Sequence, residues 1–587
     1  MKKVYLLLSF LALASFAFGQ QTIQVTDNDV TGTTTWTTGN TYILNGFVYV
    51  EDTLIIEPGV IVKGKPGQGA NASALIVARG GYIDAQGTAS MPIIMTGESD
   101  DPTTPGSTSA HETGLWGGFI VLGQACLNSA PGESAIEGIP TSEVRGQYGA
   151  VGDSVDTDMD GILDSWTQTE PCNDEDNSGI IKYVSIRHGG TNIGGGNEIN
   201  GLTLGGVGSG TEIDYVEVAY NFDDGIEWFG GTVNVKHAVV AHVGDDAFDY
   251  DEGWRGKVQF GFILQSDSAG SDRGGEHDGG TSPETAQPFA TPTFYNITSW
   301  GRGSGSSARA ITLRDNAGGF YHNSIFAQYG RGVDIEILGN GDDSYKQFQD
   351  GNLAFKNNIF WDVAGNSAGD IFKITAAKYG CTTAMDPMQC LADSTAEVDA
   401  AIMAWEAAFA ANDNSIEDPG FQAVPAQWND YNVQLDPTPA AGGPASQNLD
   451  AYPAMDDFFT PVNYKGAFPT ATPGNDGPAW VQDWTYMWGT AVFGNVSIDR
   501  DILNSALTVY PNPNNGTFYL KMEGVQGAPV QFEVLNLMGQ VVAASESKVV
   551  GGQVMKSFNL SSQPAGVYVL KAQQNGQVIG LERVTVK

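Results

Sequence analysis

The sequence predicts an all-β chain: a right-handed parallel β-helix (a solenoid) with one inserted helix, followed by a small C-terminal β-sandwich. Three observations predict it. Short β-branched strands recur through the middle of the chain at a period near 22 residues. Glycine occurs 76 times in 587 residues, clustered with Asp and Asn between those strands, where turns need a positive φ. Over the last eighty or so residues the pattern changes to alternating apolar strands split by turns such as Asn514-Asn515-Gly516 and Pro564-Ala565-Gly566.

Residues 1–19 read as a cleaved signal peptide. Lys2 and Lys3 precede an apolar run from Val4 to Phe18, and Ala17-Phe18-Gly19 supplies the small residues of a cleavage site. That run is short for a membrane span and no other stretch approaches one, so no transmembrane segment is expected in the mature chain.

The β-helix body is placed at residues 20–490. Its earliest strands flank Pro58-Gly59 and continue through Ala74–Ala78, Tyr82–Ala85, Pro92–Thr96 and Gly117–Leu122. The repeat is plainest in four segments centred on Val184, Val216, Ala238 and Phe260. The last three are spaced by 22 residues and are expected in line on adjacent layers. Later copies begin at Phe294, Phe320 and Phe355 and put Asn323 and Asn357 at matching places, as part of an inward ladder. A β-propeller also repeats strands, but its blades need about 40–50 residues. One helix is expected near 394–412: Ile402, Trp405 and Phe409 have helical spacing, and Ser394 with Glu397 forms a capping box. It reads as packed on the flank of the coils. The aromatic stretch Phe458–Trp488 reads as the cap over the last coil. Residues 491–506 read as a linker and 507–587 as the sandwich.

Charged residues make up 16% of the chain, yet the net charge is −40. Such a field excludes nucleic acid and anionic membranes as partners, and fits either calcium-binding surface proteins or solvated acidic loops. Cys126, Cys172, Cys381 and Cys390 are an even number in an exported chain, which points to disulfides, with Cys126–Cys172 and Cys381–Cys390 favoured among three pairings.

Two constellations carry candidate chemistry. In Asp156-Thr157-Asp158-Met159-Asp160-Gly161-Ile162-Leu163-Asp164, alternate carboxylates and a glycine wrap oxygens around a hard cation. Asp156, Asp158 and Asp160 would coordinate calcium by side chain, Ile162 by its carbonyl, and Asp164 directly or through water. The twelfth position is Thr167, so the loop resembles those of thrombospondin-type and dockerin-like repeats more than an EF-hand. A shorter copy begins at Asp174-Glu175-Asp176. In the second constellation, Asp223-Asp224 and Asp245-Asp246 are one period apart and should stack on one face. Stacked acids serve general acid–base cleavage, hold a cation, or simply make turns. With Asn221, Glu276-His277-Asp278, Arg302, Arg309 and Arg314, the order loosely resembles polygalacturonase-type glycoside hydrolases, which implies Asp223, Asp245 and Asp246 as catalytic carboxylates. His277 lacks that family's flanking glycines.

The C-terminal module closely resembles the type A C-terminal sorting domain of the Bacteroidota type IX secretion system. The resemblance rests on Tyr510-Pro511-Asn512-Pro513 with Gly516, Val534–Val542, Pro564–Leu570 and Arg583-Val584-Thr585-Val586-Lys587. It implies recognition by the secretion machinery through residues 507–587 and a cell-surface or extracellular location. The body resembles a group of exported Bacteroidota β-helix proteins, which implies no particular activity. The leading expectation is a calcium-braced surface or secreted protein that binds polysaccharide or acts in adhesion. The alternative is a glycoside hydrolase, with a polysaccharide lyase behind it.

Overall fold

The structure, a computed structural model, describes residues 21–486 apart from 103–106, 109–111, 156–164, 195–196, 267–269, 281–282, 377–386, 425–434, 472–479 and 483, and residues 507–587 apart from 513, 524–527, 536–540, 551, 565 and 575–576. The expected signal peptide, linker and 156–164 loop lie outside the described residues. Two compact units divide between Phe493 and Gly494.

The first unit is a right-handed parallel β-helix. Gly179–Arg187, Glu212–Ala219, Asn234–Ala241 and Lys257–Leu264 stack in that order. Val184 pairs with Val216, and Val216 with Ala238. Ala238 then pairs with Gly261 rather than Phe260, which instead stacks on His237. That coil is one residue longer: Phe229 pairs with Asp251, 22 residues on, but Val235 pairs with Val258, 23 residues on, so the added residue lies in the turn between Asp251 and Val258. A bend inside each strand stays aligned throughout. Tyr183, Tyr215, His237 and Phe260 hold φ of 49°, 58°, 48° and 62°. A bulky residue in that region is strained. Here the rings stack from rung to rung at 4.3, 4.2 and 4.9 Å, which offsets the strain and sets the register.

Asn296, Asn323 and Asn357 take over the same bend in the following rungs, where asparagine tolerates a left-handed backbone. Their amides face outward: Asn323 and Asn357 donate to the carbonyls of Asp450 and Asn448. The inward ladder lies one residue further along. Asn358 Oδ1 accepts from the Ser324 amide at 2.8 Å, and Asn414 Oδ1 accepts from the Asn358 amide at 3.0 Å.

The helix and the aromatic stretch exchange their expected roles. The helix spans Pro387–Ala411 and closes the end of the core instead of lying on the flank. Trp405 stacks on Phe372 with centroids 4.4 Å apart, and Phe409 packs on Phe360 at 5.6 Å. Phe355, Phe360 and Phe372 are inward residues of the last rung, which this helix shields. The aromatic stretch is a strap that runs back along the flank. Asp450 meets Asn323, Tyr452 meets Asn296, Thr460 meets Gln259, and Trp480 and Trp484 lie edge-on against Tyr215. The apolar outer faces of the bend residues supply the surface it covers.

Cys126 and Cys172 form a disulfide, Cα–Cα 4.9 Å, across the excursion that leaves the coils after Leu122 and returns at Gly179. Cys390 is disulfide-bonded, and its expected partner Cys381 lies outside the described residues. No helix among the described residues is long and apolar enough to cross a membrane.

The second unit is a small sandwich of two antiparallel sheets. One holds Leu507–Tyr510, Thr517–Glu523 and Gln553–Asn559; the other holds Val530–Leu535, Val541–Ser547, Gly566–Gln574 and Gln577–Val586. Alternating residues such as Phe518, Leu520, Phe532, Val534 and Leu570 fill the space between them.

Candidate cation site on the ten-stranded sheet

One wall of the β-helix is a ten-stranded parallel sheet running from Phe47–Val50 to Phe372–Ala376. Alternation along each strand turns Trp228, Tyr250, His277 and Leu313 into the core. The residue before each of these faces outward, and register aligns Tyr49, Ile76, Ile120, Thr203, Glu227, Asp249, Glu276, Thr312, Asp334 and Lys373 in one row. The apolar start of this row lies under Leu127, Ile136, Ile139 and Tyr148 of the excursion. The acidic part begins where that cover ends.

A second acidic row enters at the turns. The Asp246 amide donates to Asp224 Oδ1 at 2.8 Å, and the Asp272 amide donates to the Asp245 carbonyl at 3.0 Å. Three groups of carboxylates result: Asp223, Asp224 and Asp245; Asp224, Glu227 and Asp249; and Asp246, Asp249 and Glu276. Within each group one oxygen per residue lies within 4.8 Å of the others, a distance at which two like charges repel by about 3 kcal/mol at an effective dielectric of about 20.

Compensation is uneven along the rows. Arg273 pairs with Asp246 at 2.8 Å and with Glu276 at 3.0 Å, Arg314 with Glu276 at 2.9 Å and Asp278 at 2.6 Å, and Arg309 with Asp272 at 2.9 Å. No lysine or arginine among the described residues pairs with Asp223, Asp224, Glu227 or Asp249. Burial, then the charges of Glu137, Glu198 and Asp245, push the Asp223 carboxyl up to about 8. Asp224, Glu227 and Asp249 are held well above the carboxylate range, again by burial first and by their acidic neighbours second. Asn200 is fully buried, and its Nδ2 donates to Glu137 at 3.0 Å and to Glu227. Its Oδ1 has no hydrogen-bond partner among the described residues. These oxygens can share protons or hold a hard cation.

The coil architecture agrees with the comparison to known families: residues 28–164 and 171–410 match the pectate-lyase-like β-helix domain. The chain belongs to that family. Residues 508–587 match the secretion system C-terminal sorting domain. This pectate-lyase-like β-helix protein is therefore a type IX secretion substrate, exported to the cell surface or the extracellular space. No curated protein matches the chain.

Within this family member, the 22-residue spacing does bring Asp223 and Asp245 together, with Asp246 stacked over Asp224. Other parts of the hydrolase-like pattern are structural. Asn221 is buried and donates to the Asp224 carbonyl at 2.8 Å. His277 points into the core between Tyr250 and Phe294, bonds Tyr321 at 2.7 Å, and is pushed down to about 3 by burial. Arg302 is on a loop, hydrogen-bonded to Ser307. Asp156, Asp158, Asp160, Ile162 and Asp164 lie outside the described residues. The shorter acidic copy is a brace: Asp174 bonds Arg255 and the Cys126 amide, and Asp176 accepts from Ser178. The two sequence segments that carry Asp223 and Asp245 also carry Asp224, Glu227 and Asp249, the last two again 22 residues apart, and the sequence reading gives none of these three a catalytic or metal-binding role. Glu137 and Asn200 left no such signal, because they arrive from the excursion and from a preceding rung.

Proposed function

We propose that this protein holds calcium, or a similar hard divalent cation, on the outer face of its ten-stranded sheet and uses it to bind polysaccharide outside the cell. One observation carries the reading: Asp223, Asp224, Glu227 and Asp249 are stacked without an ion pair to lysine or arginine among the described residues, while the same rows one rung further on are matched by arginines. An all-oxygen set favours a hard cation, and the unpartnered Asn200 Oδ1 beside Glu227 adds a neutral oxygen. The loop 156–164 is proposed as a separate calcium brace for the excursion.

Calorimetric titration of the full chain with calcium tests both. The double variant Asp224→Asn with Asp249→Asn should lose one binding event by at least tenfold in affinity, while Asp158→Ala with Asp160→Ala should remove a different one. Equal calcium uptake by the parent and the first variant would refute the sheet site.

A second reading, glycoside hydrolysis, is favoured by Asp223, whose raised pKa suits a general acid. Against it, Asn221 and His277 of the hydrolase-like pattern are buried in structural roles, bonded to the Asp224 carbonyl and to Tyr321. Arg273, Arg309 and Arg314 are engaged in ion pairs, which disfavours lyase chemistry as well. Reducing-sugar release that Asp245→Asn abolishes would establish the hydrolase instead.

A further inference from the structure

We propose that the ligand presented to this cation is a neutral glycan, bound through vicinal hydroxyls to the metal and through a sugar face stacked on Phe222. The proposal rests on the cation reading above. Phe222 immediately precedes Asp223 and is 48% exposed. Most aromatic residues at the bends of the coils stack on a neighbour one rung away, as Tyr183, Tyr215, His237 and Phe260 do. Phe222 has no ring partner among the described residues.

Its surroundings are built to keep it that way. The Phe222 amide donates to the Gly189 carbonyl at 2.9 Å, and the Gly244 amide donates to the Asn221 carbonyl at 2.9 Å, so the backbone at Phe222 sits between two glycine-bearing turns. A Cβ on Gly190 would fall 2.6 Å from Phe222 Cβ, and one on Gly244 would strike the Phe222 carbonyl. The positions beside Phe222 on both neighbouring rungs are thus bare backbone. Asn221, buried beneath, fixes the turn through its bond to the Asp224 carbonyl. The result is an exposed ring, one residue before Asp223, on a backbone held by bonds to both neighbouring turns.

The chemistry selects the ligand. Calcium takes six to eight oxygens, so a site of this kind leaves positions that paired sugar hydroxyls fill as water does. The apolar face of a pyranose covers an exposed ring and gains from its burial. A uronate is disfavoured. Two three-carboxylate groups, Asp223–Asp224–Asp245 and Asp224–Glu227–Asp249, share Asp224 and hold more acid than one divalent ion neutralises. The arginines that would receive a uronate carboxylate already hold Asp246, Asp272, Glu276 and Asp278.

Affinity electrophoresis of the full chain in gels containing mannan, galactan or polygalacturonate, each with calcium or with EDTA, tests this. The proposal expects calcium-dependent retardation by mannan or galactan, weakened at least tenfold in Phe222→Ala, whose calcium titration stays within twofold of the parent. Retardation by polygalacturonate alone, by none of the three, or unchanged in Phe222→Ala, overturns it while leaving the cation reading intact if calcium still binds. Absence of calcium uptake at Asp224 and Asp249 overturns both.

Discussion

Asp223, Asp224, Glu227 and Asp249 each sit in a place that disfavours their charge, and protons and cations compete to relieve it. The sign of the pH dependence follows. A carboxyl whose pKa is raised in the fold keeps its proton where the unfolded chain has lost it. Its stabilising contribution is complete below the unfolded value near about 4 and is lost as pH rises through the folded value, about 8 for Asp223. In EDTA, the melting temperature of the full chain should fall between about pH 5 and about pH 9, and millimolar calcium should reduce that fall by taking the proton's place. A melting temperature that rises across this window in EDTA would contradict the assignment. Calcium affinity should strengthen with pH over the same range, approaching about tenfold per unit for each proton released. Calorimetry in buffers of different ionisation heat counts those protons.

At the scale of elements, the coils were legible and their closures were not. Spacings of 22 residues, β-branched strands and Gly/Asp turns come from local chemistry, so the rungs around Val184, Val216 and Ala238 appear where their residues place them. The slip at Phe260 was hidden, because one residue added in the turn between Asp251 and Val258 has no composition signal, and it brings the bend at Phe260 onto His237. Helix and strap were both recognised as aromatic segments, but which apolar surface each meets is a tertiary matter. Trp405 finds the open end of the core and Trp484 finds the bend ladder on the flank. Trp405→Ala should therefore behave as a core truncation and destabilise by about 3–5 kcal/mol. Urea unfolding followed by circular dichroism measures this; a change under about 1 kcal/mol would place the helix off the core.

For the body as a whole, the site depends on stacking itself. Asp224, Glu227 and Asp249 come from two rungs, and each rung is positioned by its neighbours, so no single coil carries the cluster. That explains why half of the candidate site was readable. Residues one period apart can be paired on paper, as Asp223 and Asp245 were, whereas Glu137 and Asn200 reach the row only when a long excursion and an earlier rung close beside it. It also explains the charge asymmetry: the arginines that neutralise the later rungs belong to strands further along the same sheet. The most direct measurement is an anomalous difference map from crystals of the full chain grown with terbium in place of calcium. A peak bounded by Asp224, Glu227 and Asp249, or by Asp223, Asp224 and Asp245, is the predicted result; a well-ordered sheet face with no peak there would contradict it.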